Sequence, residues 1–179
     1  MITHKKIFFI FFIVFAITGC NKTTKVKNSL QNKDIYKDVS KKYNIDYKIL
    51  KGISVVESNN NIYAININSN KYKKKSYLFK NKEKAILFAK KLYNEKINFD
   101  AGINQININW KKSKKFSIED LFNKEKNLDL SRSILSYNLE RYCNGDINCR
   151  LSVYNTGYKK SKIGKRYTNK VILSSKNFN

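Results

Sequence analysis

Hydrophobic residues recur at helical spacing through most of the chain. Ile35, Val39 and Tyr43 share one face, which predicts a first helix over residues 34–43. Asp46 suits the N-cap of a second helix, because its carboxylate can accept a hydrogen bond from the first free backbone N–H groups. The apolar stripe of this second helix consists of Ile49, Leu50, Ile53 and Val56.

Elsewhere the pattern predicts one β-hairpin and several further helices. Alternation from Ile62 to Asn68, followed by Tyr77 to Phe79, indicates two strands with residues 69–76 at the tip. Residues 99–110 contain a glycine and closely spaced amide side chains, and we interpret them as a turn that forms part of a site. Further helices are predicted over residues 82–95, 117–123, 127–142, 148–156 and 165–174. We therefore expect an α+β fold that is mostly α-helical, with a small β-hairpin.

Glu57 continues the apolar stripe of the second helix. Residues 50, 53 and 57 follow the i, i+3, i+7 spacing, so the carboxyl group is expected to point into the protein. Burial disfavours the charged form of a carboxyl group unless a partner compensates. Glu57 is therefore either one half of a structural ion pair or a proton donor whose pKa is raised by partial desolvation.

The first twenty residues have the pattern of an export signal. Lysines near the start precede an apolar run from Ile7 to Ile17, which is shorter than the roughly 18 to 20 residues that a membrane-spanning helix needs. The sequence from Ile17 to Cys20 resembles a bacterial lipobox, in which the cysteine becomes the lipidated first residue of the mature protein. An ordinary cleaved signal is the alternative.

Processing at this point divides the chain into three parts. We expect residues 1–19 to be a lipoprotein signal peptide, residues 20–33 a lipidated tether, and residues 34–179 a single domain. Asn21 after the lipidated cysteine favours sorting to the outer membrane, on the periplasmic side. The lipid anchor makes a membrane one of the expected partners.

The amino-acid composition excludes several kinds of catalytic site from the mature domain. His4 is the only histidine and lies in the predicted signal, so the mature domain has no imidazole for Ser-His-Asp, Cys-His or histidine-ligated zinc chemistry. We expect neither a metal nor a cofactor. The 37 Lys and Arg against 13 Asp and Glu give a net charge of +24, which in an exported protein favours the wall or membrane surface over nucleic acid.

Two cysteines remain once Cys20 is assigned to lipid. Cys143 and Cys149 flank a short segment that contains Asn144-Gly145-Asp146, whose residue types favour a turn. A disulfide is predicted in an oxidising compartment, and two buried free thiols are the alternative.

Three motifs in the chain resemble those of a known protein family. Residues 52–58 (GISVVES), 100–107 (DAGINQIN) and 151–157 (LSVYNTG) resemble, in order and spacing, the soluble lytic transglycosylase (SLT) family of peptidoglycan-cleaving enzymes. The resemblance covers residues 35–174 and implies a lysozyme-like fold. A closer resemblance is to the VirB-type transglycosylases of type IV secretion systems, carried by residues 82–107 and by Ser152 to Gly157 followed by Tyr167 and Val171. Enzymes of type III secretion and pilus systems share this core.

The resemblance implies a reaction and roles for individual residues. Glu57 would protonate the glycosidic oxygen, and then act as base while the C6 hydroxyl of muramic acid attacks, which leaves a 1,6-anhydro end without using water. The hydroxyl groups of Tyr154 and Ser58 would orient or polarise Glu57. The residues expected to bind substrate or orient the acid are Ser58, Gln105, Asn107, Tyr154 and Asn155. Expected partners are peptidoglycan glycan strands, the membrane and components of a secretion system.

Two departures from the family pattern and one ambiguous carboxylate leave alternatives open. Asn104 stands where many relatives have Met, which is expected to alter an apolar contact that faces substrate, and residues 123–127 replace a Pro-Cys pair. Asp100 either caps the turn, which we favour, or serves as the second carboxylate of a hydrolytic lysozyme. A non-catalytic wall-binding scaffold is the remaining alternative.

Overall fold

Helices form most of the chain that the structure describes. The computed structural model describes residues 34–41, 45–73, 75–111 and 115–178. Its α-helices are α1 (Ile35–Lys41), α2 (Tyr47–Ser58), α3 (Lys82–Asn94), α4 (Lys124–Asn138), α5 (Ile147–Thr156) and α6 (Lys162–Ser175). Its strands are β1 (Ala64–Ile67), β2 (Ser76–Leu78), β3 (Phe99–Ala101) and β4 (Ile106–Asn107). Short 3-10 helices cover Ile108–Trp110 and Glu119–Phe122, and a π-helical turn covers Leu139–Cys143.

Several sequence predictions concern residues outside this description. The predicted signal peptide, the lipidation site at Cys20, the tether and the Tyr43 end of the first helix all lie there. Among the described residues, no helix combines the length and the apolar character needed to cross a bilayer.

Most of the predicted helices are confirmed, but residues 117–123 form only the short 3-10 helix Glu119–Phe122, and the helix predicted over residues 127–142 ends at Asn138 and is followed by a π-helical turn. Side-chain caps explain where several of the helices begin. Asp46 accepts a hydrogen bond from the Lys48 backbone N–H at 2.9 Å and starts α2, as expected for an N-cap aspartate. Asn59 adopts a left-handed conformation, with φ of 51°, and ends the same helix. The last helix is longer than the apolar pattern indicated, because Ser161 caps it and it begins at Lys162.

The sheet is larger than the single hairpin that the sequence predicted. Its order is β2-β1-β3-β4 and every neighbouring pair is antiparallel. The predicted hairpin corresponds to β1 and β2, while β3 and β4 come from residues 99–110, which we interpreted as a turn alone. These strands have three and two residues, too few for alternation to be visible in the sequence.

The core consists of two clusters of buried apolar side chains. One lies between the sheet, α3 and the Glu119–Phe122 turn, and the other lies among α1, α2, α4, α5 and α6. Tyr154 packs against both clusters. The boundary between the two clusters therefore passes through α5, close to the residues of the third family motif.

Helices α2 and α6 approach closely because α2 has a glycine, Gly52, at the point of contact. A Cβ atom on Gly52 would come within 2.6 Å of the Val171 carbonyl oxygen, which is too short for van der Waals contact. The close packing carries residues of α6 up to the C-terminal turn of α2.

A disulfide joins Cys143, at the end of the π-helical turn, to Cys149 in the first turn of α5.

Candidate active site

A cleft of about 310 Å³ collects residues from all three family motifs. It lies where the end of α2, the β3–β4 hairpin, α4 and α5 meet. Its lining residues are Glu57, Asn68, Asp100, Gln105, Ile106, Asn107, Trp110, Ile134, Tyr154 and Asn155. None of these is a lysine or an arginine, although the chain has 37 of them. Among the described lining residues, the ionisable side chains that could carry charge at neutral pH are the carboxyl groups of Glu57 and Asp100.

Glu57 lies in the last turn of α2 and is partly buried in this cleft. Desolvation raises the pKa of its carboxyl group from 4.5 to about 7, and the nearby Asp100 charge acts in the same direction. The C-terminal end of a helix also disfavours an anion, because the helix dipole is negative there. At neutral pH the group is therefore present in both protonation states, as a residue that first donates and then accepts a proton requires.

Tyr167 from α6 is the residue that holds Glu57. Its hydroxyl donates a hydrogen bond to Glu57 Oε1 at 2.6 Å, which opposes but does not cancel the desolvation. Burial raises the pKa of Tyr167 well above its ordinary value, so the phenol keeps its proton. Its ring lies nearly parallel to that of Tyr154, with centroids 6.5 Å apart. Tyr167 was part of the family resemblance, but its contact with Glu57 was not predicted from the sequence.

The hydroxyl groups of Ser58 and Tyr154, which were expected to orient or polarise Glu57, donate their hydrogen bonds to backbone carbonyl groups. The Ser58 hydroxyl donates to the Ile103 carbonyl at 2.7 Å, because one residue along a helix turns the side chain about 100° away from Glu57. The Tyr154 hydroxyl donates to the Asn104 carbonyl at 2.7 Å. Both groups therefore hold the turn between β3 and β4 in place.

Asn104 is not a substrate-facing residue, so that expectation is also wrong. Its side chain is fully buried, accepts from Ser54 Oγ at 2.5 Å and donates to Ser131 Oγ at 2.9 Å. Its backbone N–H donates to Asn127 Oδ1 at 2.9 Å. The amide of Asn127 in turn donates to the carbonyl oxygens of Ala101 and Leu121. A polar residue fits at position 104 because Ser54 and Ser131 satisfy its side-chain amide.

The turn itself presents Gln105 to the cleft. Gln105 has a positive φ of 49°, and its amide donates to the carbonyl oxygens of Gly102 and Ala64. Gly102 has a φ of 85°, and a Cβ there would lie 2.0 Å from the Leu121 carbonyl oxygen. The turn is thus fixed on one side by β1 and on the other by the segment that precedes α4.

Asp100 does not cap the turn, which corrects the use we favoured. It lies in β3 opposite Asn107 of β4, and its carboxylate accepts from Asn107 Nδ2 at 2.7 Å and from Asn68 Nδ2 at 2.8 Å. Burial raises the pKa of Asp100, against the lowering effect of these two hydrogen bonds. A second carboxyl group therefore lines the same cleft as Glu57.

Asn107, Asn155 and Trp110 complete the polar and aromatic lining. Asn107 orients Asp100 and accepts from the Asn109 backbone N–H, while Asn155 lines the cleft as an exposed amide. Trp110 stands edge-on to Tyr137, with ring centroids 6.0 Å apart. Sequence reasoning missed Trp110, although it is the only tryptophan and follows the second motif closely.

Comparison with known proteins adds one finding. A family model described as the transglycosylase SLT domain matches residues 34–174. No curated protein and no solved structure matches the chain.

The buried contacts of Asn104 lead to a stability prediction. Asn104→Met introduces the residue of many relatives, but it removes hydrogen bonds to Ser54 and Ser131 and places a longer side chain against polar walls. We expect the free energy of unfolding to fall by about 1–3 kcal/mol in urea titrations. Adding Ser54→Ala and Ser131→Ala makes the walls apolar and should recover part of this loss. A single Asn104→Met variant as stable as the wild type would contradict the structural role given to Asn104.

Proposed function

Because the chain belongs to the transglycosylase SLT domain family, we propose that it is a peptidoglycan lytic transglycosylase, a lyase that acts on a polysaccharide. It would cleave the β-1,4 bond between N-acetylmuramic acid and N-acetylglucosamine and leave 1,6-anhydro muramic ends. The observation that carries the proposal is Glu57, a partly buried carboxyl group with a pKa of about 7 in a cleft of suitable polarity.

The first step is protonation of the leaving group. The Glu57 proton moves to the glycosidic oxygen as the bond between this oxygen and the anomeric carbon breaks and positive charge develops on the sugar. The family resemblance assigns stabilisation of this charge to the N-acetyl oxygen of the same sugar. Glu57 is left as a carboxylate, and Tyr167 can stabilise that charge through its hydrogen bond.

The second step closes the anhydro ring. The C6 hydroxyl oxygen bonds to the anomeric carbon, and its proton returns to Glu57, which restores the starting state of the enzyme. No water is consumed. Gln105 and Asn155 line the cleft and would position the N-acetyl group and the neighbouring sugar, and Trp110 offers an aromatic surface to a sugar face.

A hydrolytic lysozyme is the second candidate, and a specific observation favours it. Asp100 lines the cleft beside Glu57, so a second carboxylate is available to activate water or to stabilise the sugar cation. Its two amide partners restrain it, because both carboxylate oxygens already accept a hydrogen bond, one from Asn107 and one from Asn68. A non-catalytic scaffold has less support, because a glycan clamp has no need of an acid tuned to neutral pH.

The first 33 residues support a proposal for the cellular setting. A lipid on Cys20, removal of residues 1–19 and a tether over residues 20–33 would hold the domain at the periplasmic face of a membrane, with Asn21 favouring the outer one. From there it would open the wall locally for a secretion or conjugation apparatus. The VirB-type resemblance of residues 82–107 supports a type IV system.

Analysis of digestion products tests the reaction. Glu57→Gln should reduce wall cleavage by about two to four orders of magnitude, since the amide keeps the shape but cannot donate the proton. Asp100→Asn should lower activity while the products keep their 1,6-anhydro ends, each lighter by one water than a hydrolysis product. Reducing muramic ends from the wild type, with no turnover in a folded Asp100→Asn variant, would establish the lysozyme instead.

The pH dependence of kcat/KM tests the role of Tyr167 separately. The Tyr167 hydrogen bond lowers the pKa of Glu57, so Tyr167→Phe should raise that pKa further and move the alkaline fall of kcat/KM to higher pH. We also expect kcat to drop roughly tenfold, because the carboxyl group loses the contact that orients it. Tyr154→Phe is the matched control and should leave the pH profile in place, because the Tyr154 hydroxyl donates its hydrogen bond to the Asn104 carbonyl and not to Glu57. Identical profiles for the Tyr167→Phe variant and the wild type would refute the assignment.

A further inference from the structure

A second cavity, of about 820 Å³, lies apart from the catalytic cleft and shares no lining residue with it. The disulfide loop and the start of α5 form one wall, and the α5–α6 connection with the start of α6 forms the other. Its lining residues are Tyr142, Cys143, Asn144, Asp146, Asn148, Cys149, Ser152, Lys159, Lys160, Ser161, Lys162, Lys165, Thr168 and Asn169. We refer to it as the basic cavity.

Four lysines give the basic cavity its charge. Lys159, Lys160, Lys162 and Lys165 line it, and the one carboxylate among its described lining residues is that of Asp146. In the part of the chain that the structure describes, these lysines take part in no ion pair, and Asp146 uses its carboxylate to cap α5. The cavity therefore has an uncompensated positive charge that an anionic ligand can neutralise.

The remaining lining suits a peptide rather than a bare ion. The side-chain amides of Asn144, Asn148 and Asn169 line the cavity and form no hydrogen bond with any described residue. Such amides can donate to and accept from peptide groups. The Cys143–Cys149 disulfide ties one wall together, so these groups are presented by a covalently closed loop.

The two cavities differ in the charge of the residues that line them. Of the charged residues that the structure describes, only Glu57 and Asp100 line the catalytic cleft, so this lining suits the uncharged N-acetyl sugars and repels carboxylates. A wall strand carries carboxylates on the short peptides that branch from its muramic acid. Those groups would be driven from the cleft and attracted to the basic cavity.

The two cavities lie close enough for one strand to occupy both. Ser152 of α5 lines the basic cavity, and Tyr154 and Asn155 of the same helix line the cleft. Ser152 and Asn155 are three positions apart, which places them on one face of α5 with about 5–6 Å between their Cβ atoms. Since an extended peptide covers roughly 3.3 Å per residue, a peptide of three or four residues that starts at a sugar in the cleft can reach along this face to the basic cavity.

We propose that the basic cavity binds the carboxylate-bearing peptide of a wall strand whose glycan occupies the catalytic cleft. The inference rests on the proposed function, because it takes the strand in the cleft to be peptidoglycan. It makes the protein selective for strands that still carry their peptides over strands from which the peptides have been removed.

Binding to two soluble wall fragments tests this selectivity. The full-length protein in detergent is titrated with a muramyl disaccharide that carries a tetrapeptide, and with the same disaccharide lacking the peptide. The variant Lys162→Gln/Lys165→Gln removes two charges from the cavity. Lys170→Gln/Lys176→Gln is the matched control, because it removes the same charge from exposed positions of α6 and its C-cap that do not line the cavity.

We expect the cavity variant to bind the peptide-bearing fragment roughly fivefold more weakly than the wild type, as the loss of two exposed charge contacts implies. Its affinity for the peptide-free fragment should not change, and the control should match the wild type on both. Equal affinity of the wild type for the two fragments, or equal losses in the cavity variant and the control, would overturn the inference.

Two further measurements separate peptide binding from membrane binding and from catalysis. If the cavity variant alone loses binding to phosphatidylglycerol vesicles and still binds the peptide-bearing fragment normally, the cavity serves a membrane and the inference fails. Cleavage of whole wall strands is assayed in parallel. Selective binding without cleavage would uphold the cavity and refute the proposed enzyme activity, whereas cleavage without selective binding would do the reverse.

Discussion

The exclusion of water from one carboxyl group is the constraint on which the candidate site depends. Glu57 lies in the last turn of α2, where the surrounding residues keep it partly buried, and no described residue that lines the cleft is a cation that could neutralise it. The pKa of about 7 follows from that burial, with the Asp100 charge adding to it. The close approach of α6 to α2 across Gly52 brings Tyr167 to the same carboxyl group.

A network of buried hydrogen bonds holds the opposite wall of the cleft, the β3–β4 turn, in place. Asn104 and Asn127 connect the β3–β4 turn to α2, to α4 and to the segment before α4, and Tyr154 adds a bond from α5. Gln105 occupies its strained position because this network holds the turn on both sides. The residues that differ from the family pattern are thus part of the support of the site, and the acid itself does not depend on their chemistry.

The parts of the structure that could be predicted from the sequence are those that local patterns of apolar and capping residues encode. The apolar stripe and the Asp46 cap of α2 are encoded within a few residues, so the helix and the inward direction of Glu57 followed from spacing alone. The partner of Glu57 is 110 residues further along the chain, and no local pattern reports such a contact. Asp100 was misassigned for a related reason, because β3 and β4 are too short to be seen without their pairing.

The proposed chemistry depends on the protonation state of Glu57, and carbon-13 NMR titration of the Glu57 side-chain carboxyl carbon in the full-length protein measures it directly. Comparison with the spectrum of Glu57→Gln assigns the signal. We expect a midpoint of about 7, well above the ordinary value of 4.5. A midpoint near 4.5 would mean that the carboxyl group is hydrated and ionised at neutral pH, and it would contradict the role of Glu57 as the proton donor.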